Sequence, residues 1–388
     1  MNLIAVRAAA SFAVGAACAL SLVACGGGDG SQMTEFADSA LVANNAGVVA
    51  TTTTLDTNLS NPCGLVTSPG LPFWIADNNS NVATLYSGTG QIQTNAVTGS
   101  STVGIFIPPS AAGVPANPTG QVYNRNGGFL ISTIKGQETA LFIFAGEGGT
   151  IAAWAKDSGA TALTMYDDGV DYGTRHAVYK GLALGAVNRA SFLYATDLHN
   201  NKIDVFDTNF GKPQDMQGKF MDPTMPAGFA PFGIVALNNQ LYVTYAKRDA
   251  AMHGETTGAG LGYVNVFDFS GNFISRFASA GPLNAPWGIA LAPAGLGSLA
   301  GDLLIGNFGD GTINIFPPNG TSLATSMGPL TLNNGATFAV PGLWSLVFGD
   351  GDSDKPLTTL FYTAGFANQT DGVFGSIAVS NVPTTNPY

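Results

Sequence analysis

The sequence predicts an all-β chain folded as a six-bladed β-propeller, and three observations predict it. The first is composition. Among 388 residues only 10% are charged, while 51 are Gly and 21 are Pro. That mixture starves helices of Glu, Lys and Arg and suits short strands joined by tight turns. The second is a repeat. Segments starting at Pro62, Gly127, Lys180, Pro231, Pro286 and Gly342 share one grammar. Each opens with Gly and an apolar run, then turns at Gly, Asn or Pro. An aromatic and β-branched run follows ("FLYAT", "QLYVTY", "DLLIGN"), then a second turn and an alternating run ("KIDVF", "YVNVF", "TINIF"). Alternation at strand length, bounded by turn residues, is a β signal. The third is spacing: roughly 50 to 60 residues separate successive starts, the length of a four-stranded blade. Immunoglobulin-like arrays need about 100 residues per unit.

The elements follow in chain order. Residues 1–24 are expected to be a signal segment, with one positive charge at Arg7 ahead of an apolar run. "LVAC", ending at Cys25, resembles the bacterial lipobox, in which the cysteine thiol receives diacylglycerol. Acyl chains there would hold the domain at a membrane without a spanning helix. Residues 25–39, opening "CGGGDGS", read as a flexible tether. By resemblance to Gram-negative sorting rules, Gly26 points to the outer membrane, facing the periplasm or the exterior. Cys18 leaves with the signal, so Cys63 has no partner; its apolar flank predicts a buried, inert thiol. The propeller itself is expected over 40–383, with a tail at 384–388. The last unit runs out after its third strand, and an open edge invites aggregation. The Val- and Thr-rich segment 40–57 is therefore expected to supply the missing outer strand and close the ring.

"FAPFGI" and "NAPWGI" mark the crossing from one blade to the innermost strand of the next. Pro removes a donor that lacks a ladder partner there, and Gly lets the backbone approach the crowded axis. Phe232, Trp287 and Trp344 are expected to wedge between adjacent blades, with the channel mouth as their other possible site.

The runs "LYATDLHNNKIDVFD", "FWIADNNSNVATLY" and "LLIGNFGDGTINIF" resemble the NHL repeat. More closely, "FWIADN", "PAGFAPFGI", "LYVTYAK", "GPLNAPWGIALAP" and "GNFGDG" resemble a family of secreted bacterial proteins without an assigned activity. The chain departs from that family at Cys63, where Trp is usual, and at Phe361–Tyr362. The resemblance runs from about residue 40 to 380 and implies a TolB-like six-bladed propeller; it implies no reaction.

In such a fold, ligands meet the face carrying the loops that enter the inner strands. That face is expected to hold Asn78, Glu147, His199, Asn200, Lys247, Trp287, Asp310 and Trp344. Asp77, Asp197 and Asn307 end second strands at equivalent positions, and oxygen ligands of that kind suit Ca²⁺. Asp and Asn at a strand end also commonly bond their own backbone, and that structural role is the preferred reading. The first blade lacks the opening Glu of six-bladed lactonases. "DGDSD" at Asp350–Asp354 alternates carboxylates but has no downstream Glu, so a solvated hairpin loop is expected. His176, His199 and His253 are too scattered for a zinc site.

The net charge of −11 argues against nucleic acid. No nucleophile elbow, Walker loop or Cys-x-x-Cys pair occurs. The expected function is a monomeric, lipid-anchored binding or scaffold module of the cell envelope, for an unknown protein or small-molecule ligand. The alternative is a Ca²⁺-dependent lactonase or phosphotriesterase-like hydrolase; a quinone-cofactor dehydrogenase ranks last, for want of clustered Arg and Lys.

Overall fold

The computed structural model describes residues 35–47, 54–94, 104–168, 176–318, 323–366 and 368–380. Six small antiparallel sheets stand around one axis. Their innermost strands are Pro62–Val66, Pro118–Tyr123, Tyr179–Val187, Phe229–Leu237, Pro286–Leu291 and Leu343–Phe348. Each touches the next, and the sixth touches the first. Numbered in that order, blades 1, 2, 4 and 5 add three further strands outward. Blade 3 has only Ala190–Asp197 and Lys202–Phe206 beyond its inner strand. The fourth strand expected there is absent among the described residues; Phe210, Met216 and Phe220 pack in its place.

The ring closes as expected in kind, with a shift in position. The closing strand is Phe36–Ala43, antiparallel to Val373–Val379 of blade 6. It therefore starts before the expected boundary at residue 40. Thr54–Leu55 then pairs parallel to its outer side. Tyr362 Oη donates to Asp38 across this seam at 2.9 Å. Blade 2 also starts elsewhere than expected: its inner strand precedes Gly127. "LISTIKGQET" instead forms an inserted hairpin, Leu130–Thr133 with Gly136–Thr139, before the second strand Phe142–Gly146.

Strand alternation here fills two seams at once. In Phe142–Gly146 every residue is buried. Phe142 and Phe144 face blade 1, where Phe142 stacks on Trp74 at 3.8 Å. Ile143 and Ala145 face blade 3. The core is thus divided into six clusters, one per seam between neighbouring blades. A seventh lies on the axis.

The candidate site in the axial channel

All six inner strands break register at one equivalent place, just after Pro62, Pro118, Tyr179, Pro231, Pro286 and Leu343. Such an irregularity re-aims a side chain. Lining up the breaks places Cys63-Gly64, Thr119-Gly120, Lys180-Gly181, Phe232-Gly233, Trp287-Gly288 and Trp344-Ser345 in one column. A Cβ on Gly64, Gly120, Gly181, Gly233 or Gly288 would run into backbone of the next inner strand. These glycines therefore serve close approach of neighbouring blades. Ser345 stands where the sixth glycine would, and its Oγ donates to the Cys63 carbonyl of blade 1 at 2.7 Å.

The other residue of each pair turns to the axis. Phe232 and Trp344 belong to blades that are not neighbours, yet their rings lie 5.9 Å apart. Only a contact across the channel permits this. Trp287 sits 4.9 Å from Phe232 and 5.0 Å from Trp344. The expected wedge between blades is therefore corrected: the three aromatics plug the channel, with buried Cys63 beside them. Burial pushes the Cys63 thiol well up, and Glu147 adds to the shift. Trp344 Nε1 donates to Asn61 Oδ1 at 2.9 Å. Asn61 donates in turn to Asn78 Oδ1, and Asn78 Nδ2 to the Asn117 carbonyl at 3.0 Å. Asn78 thus ties blade 1 to blade 2 and supports the plug from above.

Lys180 is the plug's only charged member, and only its place in the column of six repeats marks it in the sequence. Its side chain is 4% exposed and pairs with Glu147. Burial opposes the ammonium, but the fields of Glu147 and Glu255 outweigh it and hold its pKa above the usual lysine value. Glu255 comes from the insertion between the second and third strands of blade 4. Burial raises its pKa, against the pull of Lys180.

The strand-end residues do not come together. No hydrogen bond or ion pair joins any two of Asp77, Asp197 and Asn307, and each serves its own blade. Asp77 Oδ2 accepts from Thr84 Oγ1 at 2.7 Å and from its amide. Asp197 Oδ1 accepts the amides of Val178 and Asn200. Asn307 Oδ1 accepts the Asn284 amide, while its Nδ2 donates to the Pro282 carbonyl and to Asp310. Two of the three therefore clasp the chain entering their own blade. Asp310 also holds the Thr312 hydroxyl and the Asn284 amide group, within blade 5. His199 stacks on His176 at 4.9 Å, and Arg248 donates to the His199 carbonyl; His253 and Lys247 are exposed. Among the described residues no group of three or more His, Cys, Asp or Glu is gathered for a metal. Cys25 lies outside the described residues.

The "DGDSD" loop does lie between two antiparallel strands of blade 6, as a hairpin loop should, but its carboxylates are not simply solvated. It wraps Lys355, whose side chain is 2% exposed. Nζ lies 2.8 Å from Asp350, 3.0 Å from Asp352 and 3.0 Å from Thr67 Oγ1. It also donates to the carbonyls of Ser68 and Leu71. Five oxygens around one ammonium reproduce a cation site with the cation supplied by the chain. The cage joins blade 6 to blade 1, the same seam that the closing strand seals.

Below the plug, toward the ends of the inner strands, the channel opens into a cavity of about 400 Å³. All six blades contribute to its wall, and Trp287 borders it. Apolar side chains predominate, including Leu65, Val122, Leu184, Val235 and Val347. The polar members are Thr67, Gln121, Tyr123, Arg125, Asn126 and Ser345; none is a carboxylate, a histidine or a thiol. Repeat patterns mark strands, not the space they leave between them, so no stretch of the chain announces this cavity.

No family model matches the chain. It is 32% identical over 346 residues to uncharacterized protein R648 of Acanthamoeba polyphaga mimivirus, covering 88% of this chain and 80% of the relative. It is 31% identical over 335 residues to uncharacterized protein L690 of the same virus, covering 84% and 82%. These relatives are viral, so the bacterial origin implied by the sequence resemblance gains no support. Among solved structures, the soluble aldose sugar dehydrogenase of Escherichia coli aligns with a TM-score of 0.51 at 12% identity, over 89% of this chain and 100% of that one. A glucose dehydrogenase aligns with a TM-score of 0.50 at 11% identity, with the same coverage. Likenesses at such identities speak for the fold alone. Identity above 30% along most of both viral relatives, on a ring of six antiparallel sheets, makes this chain a member of the six-bladed β-propeller family of R648 and L690.

Proposed function

We propose that the chain is a binding propeller, tethered to the membrane of a cell envelope through acylated Cys25, which takes a small ligand into the lower half of its channel. The cavity carries this reading. Its volume of about 400 Å³ suits a small organic molecule, and apolar walls with a few polar groups are what ligand pockets present. A hydrolase with its site here would need a nucleophile activated by a neighbouring base beside the bond to be cut. The wall carries the hydroxyls of Thr67, Tyr123 and Ser345 but no carboxylate, histidine or thiol to activate them, and Ser345 Oγ is already bonded to the Cys63 carbonyl. The test is twofold. Labelling with a fatty-acid analogue should mark the wild-type chain, and Cys25→Ser should lose the label and move to the soluble fraction. Ligand binding should proceed without turnover of lactone or ester substrates. An unlabelled wild-type chain ends the anchor reading, and turnover ends the binding reading.

The calcium-dependent hydrolase needs Asp77, Asp197 and Asn307 to leave the partners they hold. Since a ligand of the native state raises stability by mass action, millimolar Ca²⁺ should leave the melting temperature where EDTA leaves it. A calcium-dependent rise of several degrees would restore that alternative.

A further inference from the structure

We infer that the ligand of the lower channel is an amphipathic organic acid: an apolar body seated against the inner strands and an anionic group held at the rim by Arg125. The inference rests on the binding reading just given and adds the ligand's chemical class. Of the described residues that line the cavity, Arg125 is the only one with a charge. It directly follows Asn124, beyond the inner strand of blade 2, and is exposed. No hydrogen bond or ion pair engages it among the described residues. Lys180, Lys202, Lys212, Arg276 and Lys355 pair with carboxylates, and the other described cations without an ion pair, such as Lys156, Arg189, Lys219 and Lys247, do not line the cavity. With a net charge of −11, a lone guanidinium at the mouth of an apolar pocket is an uncommon provision. It offers a planar fork of donors that fits a carboxylate, sulfonate or phosphate.

Beyond it the wall is mostly apolar, reaching Trp287 and Ile289 near the plug, with Thr67, Gln121, Tyr123, Asn126 and Ser345 as its uncharged polar members. Leu184, Val235 and Val347 come from three different blades and are only half-buried. A ligand would cover them and gain roughly 25 cal/mol for each Å² of apolar surface removed from water. The absence of any carboxylate from the wall means that nothing inside repels an acid. A cationic ligand, by contrast, would meet Arg125 and find no counter-charge.

Two probes with one ring system separate the body from the charge. They are 1-anilinonaphthalene-8-sulfonate and its uncharged counterpart N-phenyl-1-naphthylamine, both fluorescent only in apolar surroundings. The full chain should bind the sulfonate about tenfold more tightly than the neutral probe. Arg125→Gln should erase that difference and leave the neutral probe unchanged. Val235→Phe or Val347→Phe, each narrowing the cavity from a different blade, should weaken both probes while thermal melts confirm the fold. If the neutral probe binds as well as the sulfonate, or Arg125→Gln changes nothing, the organic-acid class is wrong and the cavity still stands as a site. If neither narrowing variant weakens either probe, binding occurs elsewhere and the channel reading itself falls.

Discussion

Two buried lysines invite comparison, one in the axial plug and one at the seam between blades 6 and 1. Lys355 and Lys180 are 2% and 4% exposed, and each answers to two carboxylates. Lys355 has five oxygen partners for its three N–H bonds, so its capacity is full. Lys180 has one hydrogen-bond acceptor, Glu147, among the described residues; the Phe232 ring lies 6.0 Å away. A saturated buried charge is a fastener. An unsaturated one leaves donors for something else, and its partners sit where water can reach them: Glu147 is 17% exposed and Glu255 half-buried.

The sharpest way to break this contrast is to remove each ammonium. Lys355→Met strands Asp350 and Asp352 and leaves the Leu71 carbonyl without its donor. Removing one partner of a buried ion pair costs about 3–5 kcal/mol, and the loss should fall within that range in urea unfolding. The seam between blades 6 and 1 should open first, seen as faster amide exchange in Pro62–Val66 than in the inner strand of blade 4.

Lys180→Met should cost less, about 1–2 kcal/mol, because Glu147 can turn to water and the methionine packs on Phe232. A double-mutant cycle with Glu147→Gln measures the pair directly. Equal losses for the two lysines would erase the distinction between fastener and poised charge.

The contrast also shows what the sequence could and could not carry. Repeat grammar is written by hydrogen-bonded strands, so it revealed the six blades and the need for a closing strand. It misplaced the start of blade 2 because the inserted hairpin "LISTIKGQET" alternates like a blade strand. The aromatic column was legible as a column, but its direction depended on a register break that no residue type announces. Lys180 opens the third repeat, but nothing in that repeat grammar assigns it a place on the axis, since a lysine does not resemble the aromatics of the column. The Lys355 cage is half visible: alternating carboxylates mark a loop, while the cation that organises them lies one residue past Asp354. The cavity is a property of six strands together, and no single stretch encodes it.

Asp77 supplies the smallest and most discriminating test, because it is the carboxylate counterpart of an unsaturated charge. Its Oδ1 is buried without a hydrogen-bond partner. Burial raises its pKa well above the ordinary carboxylate value, against the pull of the two hydrogen bonds from Thr84. Asp204 makes the opposite case: Lys202 and Lys212, at 2.8 and 2.7 Å, outweigh its burial and lower its pKa. For Asp77 the folded state binds its proton more tightly than the unfolded chain does. Its contribution to stability is therefore complete below the ordinary carboxylate pKa of about 4. It is lost as pH rises through the folded value, since the unfolded state then releases a proton that the folded state keeps. Asp77→Asn retains an oxygen for the Thr84 donors and cannot ionise. In urea unfolding the variant should match wild type at pH 3 and exceed it by about 1 kcal/mol at pH 7. A variant less stable at pH 7 than at pH 3, relative to wild type, would mean that Asp77 works as an ionised carboxylate, as a calcium ligand must.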